Sequence, residues 1–312
     1  MVKGLRILIL MVLGISFLFF MAGCGAEKKP QNTSTKSAAL EDESAGKVLK
    51  LGRITYLDPR EMIKQHKPLL DYLANRLKKY GYKKVKLVLA KDYEGVLKKL
   101  LRGDIDVAWL GTAVYAQLLN QGKELPVLVR AVWKGKPTYK GMIVVRADSP
   151  INAIKDLKGK KFAFVDEHSA SGFEYPFALL VENGINPRTD FAQIGFLKQH
   201  DRVLKAVFLG KFDAGAVYKD ARKRIKDEIP PSKFKIIAET KNIPNEPIVV
   251  RKDLSENVKE EIKKALLDLK IDDPQSRKIL KSFGELTGFI EASPKDYYYA
   301  AKVLRIIKKY WH

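Results

Sequence analysis

The sequence predicts an α/β fold of two similar lobes joined by two chain crossings, with a hinge and a cleft between them. Three observations carry this. Strands and helices alternate along the chain. Val96-Leu97-Lys98, Gly103 and Asp106 recur as Val203-Leu204-Lys205, Gly210 and Asp213, each pair the same 107 positions apart. Two extended segments, 139–146 and 247–251, are placed to carry the chain from one lobe to the other and back.

The elements follow in order. Lys3 and Arg6 give a positive start, residues 7–20 are an almost unbroken apolar run, and Met21-Ala22-Gly23-Cys24 sets small residues before the only cysteine. This is the layout of a secretory signal whose cleavage leaves Cys24 first. A membrane-spanning helix needs about 20 apolar residues, and this run is shorter. The four residues resemble the bacterial lipobox, with Met21 where Leu is commoner, which implies acylation of Cys24 and a lipid anchor. No second cysteine is present for an intramolecular disulfide. Residues 25–46 are polar, rich in Ser, Thr, Ala and charge, and lack apolar periodicity, so 24–46 is expected to be a flexible tether.

From Lys47 the apolar content is high enough for one large or two medium domains. The first lobe is read as strand 48–56, amphipathic helix 60–79, strand 85–90, helix 94–102 and strand 105–110. The second repeats the rhythm with strand 161–165, helix 172–183, strand 191–196, helix 201–209 and strand 214–218. Such βαβ order makes a sheet covered on both faces. In each copy of the repeat an apolar helix face is followed by a Gly that ends the helix, an Asp and a small-residue strand. The same offset sets Tyr93 against His200, each at the start of its helix. Helices at 256–269, 274–283 and 294–310 are expected to pack on the first lobe. The lobes are therefore 47–143 plus 247–312, and 144–246. Two crossings favour hinge closure around a ligand.

The formal net charge is +22. Such an excess suits nucleic acid, an anionic membrane or anionic ligands. Most lysines, such as Lys98, Lys99, Lys263 and Lys264, fall where a helix meets water, and an exported chain has little access to nucleic acid. No nucleic-acid partner is expected.

The sharpest chemical motif is Asp166-Glu167-His168-Ser169-Ala170-Ser171-Gly172, set between a strand and a helix. Free N–H groups at a helix start, short hydroxyls and a Gly make an anion site. Equally, Ser169 or Ser171 serves as an ordinary N-cap. Catalysis lacks a constellation. The four histidines, His66, His168, His200 and His312, do not have metal-ligand spacing, and neither a G-x-S-x-G elbow nor a P-loop occurs. No catalytic residue, metal or cofactor is expected.

An ordered set of motifs from about Val48 to the C-terminus resembles the phosphate/phosphite/phosphonate-binding proteins of ABC importers. It comprises Lys91-Asp92-Tyr93-Glu94-Gly95, the Asp104 to Gly111 segment DIDVAWLG, the Val144 to Pro150 segment VVRADSP, Ser169-Ala170-Ser171-Gly172, His200-Asp201, and the Pro244 to Val249 segment PNEPIV. The resemblance implies a type II periplasmic-binding-protein fold with an interlobe ligand cleft. It implies phosphonyl oxygens held by Ser169, Ser171 and the amides around Gly172, with Ala170 where the family has Thr and so one hydroxyl fewer. Tyr93 matches the family's Tyr and His200 its ligand-facing His, while Gly111 and Thr112 offer backbone from the first lobe. Asp220 and Glu246 match the carboxylates that meet an aminoalkyl tail, although both also suit surface ion pairs.

The resulting expectation is a monomeric, membrane-anchored extracytoplasmic lipoprotein. It captures a small phosphorus oxyanion and delivers it to an ABC permease. A sulfonate or other small anion, or a sensing role feeding a membrane kinase, fits the same residues.

Overall fold

The computed structural model describes residues 46–311; the signal, Cys24 and residues 25–45 of the tether lie outside the described residues. In the first half, β1 (Lys47–Ile54), β2 (Tyr82–Ala90) and β3 (Val107–Trp109) pair in parallel, and β4 (Val127–Trp133) joins the same sheet. The crossovers are α1 (Pro59–Leu77) and α2 (Tyr93–Arg102), and α3 (Thr112–Asn120) follows β3. Asp58 caps α1 by accepting from Arg60 N at 2.9 Å, and Pro59 supplies a first-turn residue needing no partner. Met62, His66, Leu69, Leu70, Leu73 and Leu77 then form its buried stripe.

The chain crosses through β5 (Thr138–Tyr139) into β6 (Gly141–Arg146). The second half contains β7 (Lys161–Phe164), α4 (Tyr175–Glu182), α5 (Pro187–Asp190), β8 (Gln193–Phe196), α6 (His200–Phe208), β9 (Ala214–Tyr218) and β10 (Phe234–Glu239). It returns through β11 (Ile243–Pro244) to β12 (Pro247–Val250). α7 (Glu256–Asp268), α8 (Pro274–Lys281), β13 (Leu286–Glu291) and α9 (Tyr298–Tyr310) complete it.

One sheet runs β13-β4-β12-β3-β1-β2 and the other β10-β6-β9-β7-β8. Between them the two crossings pair as an antiparallel ribbon, Ile243 opposite Tyr139 and Pro244 opposite Thr138. Gly141 already pairs with Tyr218, so residues 141–143 sit in the second sheet.

Each sheet buries both faces, and the period-2 alternation of strand side chains decides which residue faces which helix. Leu49, Leu51, Val107 and Trp109 join Leu69 and Leu73 of α1 and Ile262 of α7, whereas Ala108 joins Val96 of α2 and Tyr115 of α3. In the second sheet Phe162 and Phe164 pack with α4, and Ala163 and Val165 with Val203 and Val207 of α6. Each fully buried Leu or Phe contributes about 1.5–3 kcal/mol.

The last helix departs from expectation. α9 packs on α3 of the first half and also on α4 of the second, because Ala300, Ala301, Val303 and Ile307 all enter the second-half core. Polar ties run the same two ways. Asn120 Nδ2 donates to Ala301 O at 2.9 Å, and Lys302 Nζ meets Glu182 at 2.6 Å. No helix among the described residues is long and apolar enough to cross a membrane.

Candidate functional site

The carboxyl ends of the parallel strands collect the candidate residues. In an open α/β sheet, ligands bind outside those ends, where the connecting loops diverge. In the second sheet, β7 leads to Ser169–Gly172, β8 to His200 and β9 to Asp220. In the first, β1 ends beside Arg53, β2 leads to Tyr93 and β3 to Gly111 and Thr112.

The serine turn is held by its own backbone. His168 N donates to Asp166 Oδ1 at 3.1 Å, and Lys198 Nζ clamps the other carboxylate oxygen at 2.8 Å. These bonds hold the Asp166 carboxyl below its usual range. Residues 170–174 form one wide π turn that runs directly into α4. Ser169 is its N-cap, and Ser169 Oγ accepts from Gly172 N at 3.0 Å. The cap uses a lone pair and leaves the hydroxyl hydrogen free to donate. Both readings of the motif thus hold for one residue. Ser171 is buried, at 5% exposure. Gly172 admits no side chain, since a Cβ there would lie 2.5 Å from Val165 Cγ2 and 2.8 Å from Ser169 Oγ. Ala170 brings only its amide.

His200 opens α6. Its Nδ1 accepts from Tyr218 N at 3.3 Å, and its ring meets Tyr218 edge-on at 4.8 Å. Burial, aided by Arg224, pushes its pKa down to about 4 against the opposing pull of Asp201. At neutral pH the ring is therefore uncharged, with its proton on Nε2, a neutral donor. Tyr93 opens α2 at the corresponding place; its side chain lies outside the described residues.

The first-lobe wall is a cavity of about 350 Å³ whose lining includes Arg53, Tyr56, Trp109, Gly111, Trp133 and Glu246. The Arg53 guanidinium lies 3.8 Å above the Trp109 ring and 5.0 Å from that of Tyr56. Trp133 Nε1 donates to Glu246 Oε2 at 2.8 Å. Thr112 Oγ1 donates to Pro244 O at 2.7 Å, which fastens α3 to the hinge ribbon and leaves its amide for other use.

Gly111 and Glu246 thus share one cavity, and Asp220 lies elsewhere. Asp220 meets Lys223 at 3.2 Å and Lys136 at 3.9 Å, both exposed. Arg53, Tyr56 and Trp133 lie outside the motifs, and Trp109, inside the DIDVAWLG segment, was given no binding role. Arg53 carried a signal, a charge inside an apolar strand; Trp133 carried none.

Residues 51–297 match the family described as ABC transporter, phosphonate, periplasmic substrate-binding protein. The chain belongs to that family. Phosphate-import protein PhnD of Mycolicibacterium smegmatis (strain ATCC 700084 / mc(2)155) is 32% identical over 206 residues, 63% of this chain and 61% of that protein. The chain therefore spans under two thirds of that relative's length. Among solved structures, XAC2383 from Xanthomonas citri bound to ATP aligns with a TM-score of 0.69 at 25% identity, covering 85% of this chain and 99% of that one. PhnD1 from Prochlorococcus marinus (MIT 9301) in complex with methylphosphonate aligns at 0.60 and 25% identity, covering 84% and 99%. The two-sheet architecture is that of the family's two-lobed type II fold.

Proposed function

We propose that this protein captures a phosphonate, phosphite or phosphate oxyanion outside the cytoplasm and hands it to an ABC permease. One observation carries the reading. A capped serine turn at the end of β7, with hydroxyls and first-turn amides, lies in the same sheet as the neutral imidazole of His200 at the end of β8. Hydrogen bonds to an anion from such fixed donors are each worth about 1.5–3 kcal/mol, and a helix start adds favourable dipole.

The two lobes close about the β5–β11 ribbon, the chain acting as a monomer that binds and releases without turnover. Signal removal and acylation at Cys24 hold it to the membrane through the tether. Arg53, Trp133 and Glu246 face the substituent on phosphorus. The relatives solved with methylphosphonate and with ATP support a phosphoryl group as the shared feature.

Calorimetric titration against phosphate, phosphite, methylphosphonate, 2-aminoethylphosphonate, ATP and sulfate tests the reading. Saturable one-to-one binding of a phosphorus compound is expected. Binding of sulfate alone rejects it.

A further inference from the structure

Glu174 is a buried acid to which the oxyanion site gives no role. It closes the same turn, its amide donating to Ser169 O at 3.0 Å. It is 5% exposed, and among the described residues its carboxyl has neither a hydrogen-bond nor an ion-pair partner.

The cations around it are engaged elsewhere. Elements β6, β9, α4 and α9 pack against the turn. At the ends of β6 and β9, Lys140 and Lys219 both pair with Glu239, and Arg146 pairs with Asp148. On α9, Lys302 and Tyr299 bind Glu182 of α4, Tyr298 binds Glu124 and Arg305 binds Asn120. Lys241 lies over the Tyr299 ring at 4.2 Å. Tyr175, next along the chain, has a buried hydroxyl without a hydrogen-bond partner among the described residues.

An ionised Glu174 would therefore place an uncompensated negative charge within one helical turn of an incoming anion. At an effective dielectric near 20 and a separation of roughly 8 Å, the repulsion is equivalent to a factor of about ten or more in affinity.

Resting on the oxyanion reading above, we propose that Glu174 gains protonation from solvent when the oxyanion enters the turn. Burial already pushes its pKa up to about 7 in the empty protein, so the group is half-charged near neutrality. A bound anion pushes it higher, and ligand capture becomes coupled to proton capture. Release toward a more alkaline compartment is favoured by the same linkage.

The test is a proton count by calorimetry with methylphosphonate and phosphite, repeated in buffers of different ionisation enthalpy, on wild type and Glu174→Gln. At pH 8 the wild type is expected to take up about half a proton more per ligand than the variant. Its affinity is expected to fall roughly tenfold more between pH 6 and pH 8. Equal proton counts with binding retained overturn the role of Glu174 and leave the oxyanion site standing. No binding by wild type overturns the oxyanion site and the inference with it. If the variant fails to fold, infrared difference spectra of wild type replace it. Adding ligand at pH 8 is expected to increase the protonated-carboxyl band, and an unchanged band contradicts the inference.

Discussion

Trp133 and Glu246 meet across the mouth of the first-lobe cavity, the indole Nε1 donating to Glu246 Oε2 at 2.8 Å. That bond fixes the carboxylate toward the cavity, whereas Asp220 is exposed and paired with two lysines. Glu246→Gln is expected to lower affinity for 2-aminoethylphosphonate relative to methylphosphonate by about 1.5–3 kcal/mol. Asp220→Asn is expected to be nearly silent, because exposed pairs contribute about 0–1 kcal/mol. Titration of both variants with both ligands measures the difference. A larger loss at Asp220 would return the amine contact to that residue.

The serine turn separates structure from binding. Ser169→Ala removes a cap and is expected to lower stability by about 1 kcal/mol in addition to weakening binding. Ser171→Ala weakens binding with the cap intact. Gly172→Ala forces Val165 or Ser169 aside and is expected to cost about 1–3 kcal/mol of stability. Thermal unfolding with and without ligand distinguishes the three.

Stability should depend on pH from both sides. His66 is fully buried, its Nδ1–H donating to Met62 O at 2.7 Å, and burial, with Arg53, lowers its pKa to about 4. Because the unfolded chain protonates first, stability is lost as pH falls from about 6.5 to 4, by up to about 3 kcal/mol. Glu174 acts oppositely: its raised folded pKa means stability is lost as pH rises from about 4.5 through 7, by a similar amount. Denaturant midpoints across this range should show His66→Gln reducing the acid limb, which His200 shares, and Glu174→Gln flattening the neutral one. Unchanged profiles would contradict both assignments.

Membrane attachment tests the tether. Cys24→Ala is expected to release the protein from membranes or leave its signal uncleaved, since stable anchoring takes more than one acyl chain. An unaltered membrane fraction argues for another anchor.

The internal repeat was the most legible part of the fold, and the structure shows why. Asp106 N donates to Lys50 O and its Oδ2 accepts from Lys50 N at 2.8 Å; Asp213 makes the same two bonds with Lys161. Each Asp locks a β3-type strand to the parallel strand beside it, so the residue recurs with its role. Gly103 at φ 78 and Gly210 at φ 69 end the preceding helices in a left-handed turn that other residues resist. By contrast, α3, β4, β10 and β13 were missed. The antiparallel β4 and β13 pair over long separations, Leu286 opposite Trp133, with no local turn to announce them. The destination of α9 was likewise set by tertiary packing, because a stripe of Ala300, Ala301, Val303 and Ile307 suits either lobe. At the site, motif residues sat where strand ends converge, but the Arg53–Trp109 stack joins residues from separate strands and left only a lone arginine to read.

If the 169–172 turn is the oxyanion site, the Ser169→Ala, Ser171→Ala double variant, titrated with the phosphorus compound that binds wild type most tightly, must lose most of its affinity. With two charge-assisted bonds removed, affinity is expected to fall by about 3 kcal/mol or more, over a hundredfold. A folded double variant that retains full affinity would contradict this and move the anion away from the turn.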